Sequence, residues 1–252
     1  MNSLFDPLTL RSVTFKNRVW VSPMCQYSAE NGFVGEWRRI HLGSFATGGA
    51  GMIMVEATGV VPEGRISIGC PSIEDREHAE AFRPMIEFAH RYSVKMGIQL
   101  AHAGRKASTM RPGDDHLIAS SSEGGWLAVS PSPIAYHGYP EPHELTNAEV
   151  KQLVQDFADA AVRAGAVGVA LARPGPGASR VPAAAVRAAV CEPTHGRLAG
   201  RAHLGPAVPH AVEHGRADPF ARFLDLGVGQ PDQREAGQAI GQMHLHRHGG
   251  CP

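Results

Sequence analysis

Apolar and polar positions fall into alternating blocks along the first two thirds of the chain. Leu8 to Lys16 switches between apolar and polar residue by residue, which predicts a short hairpin. Asn17-Arg-Val-Trp-Val-Ser-Pro-Met24 reads as a buried strand stopped by its proline. From Glu36 to Gly48, Trp37, Ile40, Leu42, Phe45 and Ala46 recur at roughly helical spacing, closed by Gly48-Gly49. Gly51 to Thr58 is a nearly continuous apolar run, the mark of a strand covered on both faces. Glu80 to Val94 predicts an amphipathic helix with Phe82, Met85, Phe88 and Ala89 on one stripe, and Met96 to His102 a third strand. A long stretch rich in Gly, Pro, Ser and Asp follows, from Lys106 to His143; loops of that length usually carry function or lack order. Thr146 and Glu149 then form a capping box, opening a helix that runs through Leu153, Phe157 and Ala161 to about Arg163. Three βα units in succession favour an α/β fold with a parallel sheet, and burial on both faces makes it a barrel or a doubly wound sheet.

The pattern breaks near Ala164. The 89 residues from there to Pro252 contain no Lys, Asn, Tyr or Trp, and hold seven of the fourteen histidines. Val167 to Leu171 could be a fourth strand, but prolines and glycines follow and no sustained apolar stripe returns. Two regions are therefore expected: 1–165, a partial barrel domain, and 166–252, a low-complexity Ala/Gly/Pro/Arg/His-rich tail of largely irregular structure.

Charge removes several function classes. Lys and Arg together balance Asp and Glu, so nothing electrostatic favours nucleic acid or an anionic membrane surface. No apolar run approaches the roughly 20 residues of a spanning helix. The first residues lack the basic-then-apolar order of a secretory signal, and Cys25, Cys70, Cys191 and Cys251 show neither a CxxC pair nor disulfide spacing. A reducing cytoplasm is the expected compartment.

The chemistry sits at strand ends. Ser22-Pro-Met-Cys-Gln-Tyr27 ends the first strand of the sheet, and Gln99-Leu-Ala-His-Ala-Gly-Arg105 follows from the third. In a βα-barrel the carboxyl ends of the strands form the reactive rim. A thiol, a phenol and an amide there suit a flat, electron-accepting ring, with the thiol at its edge and the amide paired to its polar side. Taken singly, each residue also has a plain structural reading. Cys25 could be a small buried hydrophobe, Gln99 a loop ligand and Tyr27 a cover for the core. His102 could be a base or a structural rim histidine. Arg105 and Lys106 could attract a phosphate or remain surface charges. His244-Leu-His-Arg-His248 suggests a metal tract by composition, but lacks Cys or carboxylate partners at ligand spacing, so no metal site is expected.

Leu4-Phe-Asp-Pro-Leu, Lys16-Asn-Arg, Ser22-Pro-Met-Cys-Gln-Tyr27, Val55-Glu-Ala-Thr58, Gly64-Arg65 and Ile98-Gln-Leu-Ala-His-Ala-Gly-Arg-Lys106 share a family's order and spacing. In these segments the chain resembles the old yellow enzyme family of flavin-dependent ene-reductases, particularly its bacterial, thermophilic-like branch. The resemblance implies the N-terminal part of a (β/α)8 TIM barrel holding FMN. The flavin would be reduced by NAD(P)H and would pass hydride to an activated C=C bond of an enone-type small molecule. By that resemblance Cys25 touches the flavin and tunes it, Tyr27 lines the substrate side, and Ala57 contacts the ring. Gln99 pairs with the pyrimidine edge, and the backbone of Pro23 and Met24 packs near it.

The family's substrate-anchoring pair on the fourth strand, its proton-donating tyrosine and its phosphate-binding segments have no counterpart here. Residues with A/T-rich codons vanish together after Ala164, as expected of a GC-rich gene read out of frame. A second expectation follows: a truncated or frameshifted fragment without catalytic activity. Its open βα units would expose two sheet edges, which a second copy in a homo-oligomer could cover.

Overall fold

The computed structural model of the chain describes residues 3–175. β1 (Leu8–Leu10) and β2 (Val13–Phe15) form the expected antiparallel hairpin, with Leu8 opposite Phe15. The chain continues through β3 (Trp20–Val21), α1 (Glu36–Thr47), β4 (Met52–Gly59), α2 (Arg76–Arg91) and β5 (Lys95–Ala101). A short pair, β6 (Val129–Ser130) with β7 (His143–Glu144), precedes α3 (Asn147–Ala166) and β8 (Leu171–Pro174). The strands β3, β4, β5 and β8 lie side by side in that order, all parallel.

The two faces of this sheet carry different cores. Ile53, Val55, Ile98 and Leu100 point toward the helices and join Phe82 of α2 and Phe157 of α3 in the main core. Met52 and Met54 point the other way and pack on Phe15 of the hairpin. One irregularity decides which residues share the inner face. Val55 stands opposite Ile98, but Ala57, not Glu56, stands opposite Gln99. Strict two-residue alternation would turn Ala57 toward the helices; the extra residue at Glu56 resets the phase. Ala57 and Gln99 therefore look inward together.

Three local expectations change. The buried stripe of α1 is Arg38, Leu42 and Ala46, spaced by four, whereas Trp37 and Ile40 are exposed. A charged residue holds the inward position because its counter-ion lies beneath it. Helix α2 begins four residues earlier than its apolar stripe predicts, because the Asp75 side chain accepts a hydrogen bond from the His78 N–H and caps it. The last strand is Leu171–Pro174 and not Val167–Leu171, since Gly168 turns the chain at φ 97° and pairing with β5 starts only at Ala170. The sheet thus extends past residue 165. The expected irregular tail, its reading-frame origin and the histidine tract fall on residues 176–252, outside the described residues.

Helix α3 keeps the expected capping box, with Thr146 Oγ1 accepting from the Glu149 N–H and the Glu149 carboxylate accepting from the Thr146 N–H. Thr146→Ala removes one half of it and should cost about 1 kcal/mol in chemical denaturation, with the denaturant slope unchanged. No helix among the described residues is long and apolar enough to cross a membrane.

Candidate functional site

Residues 22–29 leave β3 without regular structure and lie across the carboxyl end of the sheet. Tyr27 takes a left-handed backbone conformation, φ 51°, which a non-glycine residue keeps only when its surroundings enforce it. The enforcing contacts are specific. The Glu56 carboxylate accepts from the Gln26 N–H at 3.0 Å. Arg111 Nε donates to the Tyr27 carbonyl at 3.1 Å. Gly69 lies flat against that carbonyl, where a Cβ would come within 2.4 Å of the oxygen. Gly69→Ala must displace the Tyr27 carbonyl from Arg111, and should lower stability by about 1–3 kcal/mol. Thermal unfolding checks this; a melting curve that matches wild type would show that the loop yields freely.

Beneath the loop lies a buried ion pair. Arg38 is fully buried and Glu56 nearly so; Arg38 Nε donates to Glu56 Oε1 at 2.8 Å and Nη2 approaches it at 2.7 Å. Burial raises the Glu56 pKa, against the pull of Arg38 and of the Gln26 amide. The bulge that turns Ala57 inward thus also supplies the carboxylate that holds the Cys25–Tyr27 loop.

Cys25 is half-buried, and its thiol is free. The neighbouring Cys70 thiol lowers its pKa, with the Ala57 N–H and Arg38 acting the same way and burial and Glu56 opposing. Burial first, then the neighbouring thiols and Glu56, raises the Tyr27 pKa, so the phenol stays protonated. Gln99 is half-buried on the inner face and makes no side-chain hydrogen bond to any described residue. A two-faced amide left free at a strand end is what a heteroaromatic edge would satisfy. Ala57 and Gln99 share a register, and the segment carrying Cys25 and Tyr27 is tied to the same strand end by the Gln26 N–H bond to Glu56. Pro23 and Met24 are exposed on the segment leading in.

The other candidates go elsewhere. His102 Nδ1 accepts from the Gly104 N–H at 3.1 Å, and burial lowers the ring's pKa. It lines a cavity of about 160 Å³ beside Glu63 and the first turns of α3. Arg105 ties down the long loop through the Ile134 carbonyl at 2.6 Å and Ser132 Oγ at 2.8 Å, while Lys106 sits 4.0 Å above the Tyr136 ring. Both charges are structural fastenings. Glu74, Asp75 and His78 cluster, but His78 Nδ1 is paired with Asp75 and Nε2 with the Asn31 carbonyl.

Sequence reasoning missed Arg38, Glu56, Cys70 and Arg111. Glu56 alone left a signal, as a charge inside an otherwise apolar strand. Arg173, directly opposite Gln99 in β8, was hidden by the misplaced strand.

Residues 3–170 match the family model described as NADH:flavin oxidoreductase / NADH oxidase. A curated NADH:flavin oxidoreductase of Gibberella zeae is 41% identical over 166 residues, covering 64% of this chain and 40% of the relative. An NADPH dehydrogenase of Geobacillus thermodenitrificans is 40% identical over 164 residues, covering 64% of this chain and 44% of its own length. Among solved structures, the old yellow enzyme homologue from Zymomonas mobilis matches with a TM-score of 0.56 at 26% identity, over 69% of this chain and 48% of that one. Morphinone reductase in complex with tetrahydroNAD matches with a TM-score of 0.59 at 25% identity, over 69% and 49%. The chain spans less than half the length of these proteins, and its four parallel strands with their helices are the N-terminal part of a TIM barrel. The chain belongs to the NADH:flavin oxidoreductase / NADH oxidase family, whose cofactors are FMN and NAD(P)H.

Proposed function

We propose that this chain carries the flavin-contacting rim of an FMN-dependent, NAD(P)H-driven oxidoreductase acting on activated C=C bonds of enone-type small molecules. The observation that carries the reading is the convergence of Cys25, Ala57 and Gln99, from three adjacent strand ends, with the amide left free. FMN supplies hydride transfer when bound. Gln99 would pair with the polar edge of the ring, Ala57 would leave the ring room to approach the sheet, and Cys25 would present its sulfur to it. Pro23 and Met24 would shield the ring from water along the entering segment. Tyr27, its phenol kept protonated, would offer a hydrogen-bond donor on the substrate side. The Arg38–Glu56 pair fixes where Cys25 and Tyr27 point. The thiols fit a reducing cytoplasmic setting.

Reconstitution of the purified full chain with FMN tests this reading. A protein that retains the yellow cofactor through gel filtration, and consumes NAD(P)H with an enone, supports it. A second reading has its own observation: β3 and β8 each lack an outer strand partner among the described residues, and Trp20 on β3 is 37% exposed. Parallel strands buried on both faces rarely end in open edges. On that reading the chain is an inactive truncated fragment, or one whose edges a second copy covers. A colourless sample with a broad, weakly cooperative melting curve would decide for it.

A further inference from the structure

Beyond Tyr27 the chain makes a tight turn, and a buried histidine meets it at the amino end of α2. Glu30 and Phe33 bridge each other across Asn31 and Gly32, which are left-handed at φ 49° and 83°, as an Asn-Gly turn prefers. His78 Nε2 lies 3.1 Å from the Asn31 carbonyl oxygen. The ring is buried, stacked on Phe33 at 3.9 Å, and its Nδ1 lies 2.9 Å from Asp75 Oδ1. Glu74 Oε1 stands 3.9 Å from Nε2.

These contacts define what the ring needs. An ionised carboxylate only accepts, so Nδ1 carries the proton shared with Asp75. Nε2 then turns a lone pair toward the Asn31 carbonyl oxygen, with the Glu74 carboxylate beside it. Three acceptors gathered in this way call for a positive charge among them. A hydroxyl independent of that cluster adds to the demand. Ser72 is fully buried, and its Oγ makes no hydrogen bond to any described residue. A buried polar atom without a partner is itself a sign of an ion or a water. Ser72 Oγ faces the same space as Nε2: a Cβ on Gly32 would stand 2.5 Å from Ser72 Oγ and 3.2 Å from His78 Nε2. Glycine keeps that space clear of a side chain.

We propose that His78 Nε2, the Asn31 carbonyl, the Glu74 carboxylate and Ser72 Oγ bind a divalent metal ion of the Mn²⁺ class. The imidazole selects a transition ion and the three oxygens a hard one, and Mn²⁺ meets both conditions. Asp75 stays outside the ligand set and orients the ring through Nδ1, as carboxylates commonly do for metal-bound histidines. The charge balance agrees. The amino end of α2 contributes roughly half a positive charge, which the carboxylates of Glu74 and Asp75 outweigh. Neither carboxylate forms an ion pair with a Lys or Arg side chain among the described residues. The ion joins two segments that backbone bonds already bring together, Ala29 N–H to the Gly69 carbonyl at 2.8 Å and Ser72 N–H to the Gly32 carbonyl at 2.9 Å. It thus fastens the far end of the loop that carries Cys25 and Tyr27. The site does not depend on the flavin reading.

The test is titration of Mn²⁺ into the cofactor-free, full-length chain, followed by the electron paramagnetic resonance signal of the free ion. One tightly held ion per chain is expected. Glu74→Gln keeps the side-chain shape but loses the charge, and should weaken binding by about tenfold or more. Ser72→Ala should weaken it severalfold, and circular dichroism should match wild type in both variants. Mn²⁺ should raise the melting temperature of wild type but not of His78→Gln, which retains the backbone N–H bonded to Asp75. A triple variant, His244→Ala with His246→Ala and His248→Ala, should bind as wild type does. Loss of the ion there would place it in the histidine tract and overturn the proposal. A wild-type chain that binds no Mn²⁺ overturns it too, since a second proton on His78 then meets the need. So does unchanged affinity in Glu74→Gln. Retention of FMN is scored on separate samples, so either reading can fail while the other stands.

Discussion

Glu56→Ala should lower the unfolding free energy by about 3–5 kcal/mol, the range for leaving a buried charge without its partner. Arg38 is fully enclosed and its guanidinium meets only this carboxylate among the described charged side chains. Removing Glu56 also frees the Gln26 amide, so the left-handed Tyr27 loses one of the neighbouring contacts that enforce it. Urea unfolding measures the loss. The double variant Arg38→Met with Glu56→Met separates two causes. If the damage is the stranded charge, the double variant recovers much of the stability. It should not recover an ordered Cys25–Tyr27 loop, because the Gln26 amide remains unpaired. A Glu56→Ala protein as stable as wild type would refute the ion pair.

The same carboxylate sets a pH dependence. Burial raises its folded-state pKa above the unfolded value, so the native state holds this proton more tightly. Its contribution is fully present below the ordinary carboxylate range and is lost as pH rises through the raised value. Glu56→Gln has no such proton, and should gain on wild type as pH climbs from acid toward neutral. The ion pair is therefore better understood as a positioning device than as a source of stability.

Gln99→Leu should weaken FMN binding by about ten- to a hundredfold, as expected when polar edge atoms of a ring lose their only partner on leaving water. The substitution is close in shape, and Gln99 bonds no described side chain, so folding should be little affected. Titration of the cofactor-free protein followed by flavin fluorescence gives the number. Equal affinity in the variant would mean that the amide faces something other than the cofactor.

Much of the fold was legible in the chain. The hairpin, α1, β4, β5 and the capped α3 each carry a local signature, either two-residue alternation, a continuous apolar run or a cap, and such signatures need no knowledge of distant partners. Where expectation failed, a remote contact had overruled a local one. Trp37 looked like a core residue until Glu56 claimed the neighbouring position for Arg38. The last strand slid to Leu171 because Gly97 of β5, remote in sequence, fixed where pairing begins. The rim residues could be picked out because Cys25, Tyr27, Ala57 and Gln99 sit in short segments with a recognisable order.

By itself, then, the sequence determined a βα alternation, a parallel sheet, a rim with a thiol, a phenol and an amide, and membership by resemblance in a flavin family. These follow from periodicity and composition, which are local. Only the tertiary structure decided that a bulge at Glu56 turns Ala57 to face with Gln99, that a buried ion pair holds the Tyr27 loop, and that Gly69 closes against the Tyr27 carbonyl. Each of those depends on register between strands or on close approach between segments remote in sequence. A one-residue shift in such register inverts which side a residue faces, and no local pattern records it.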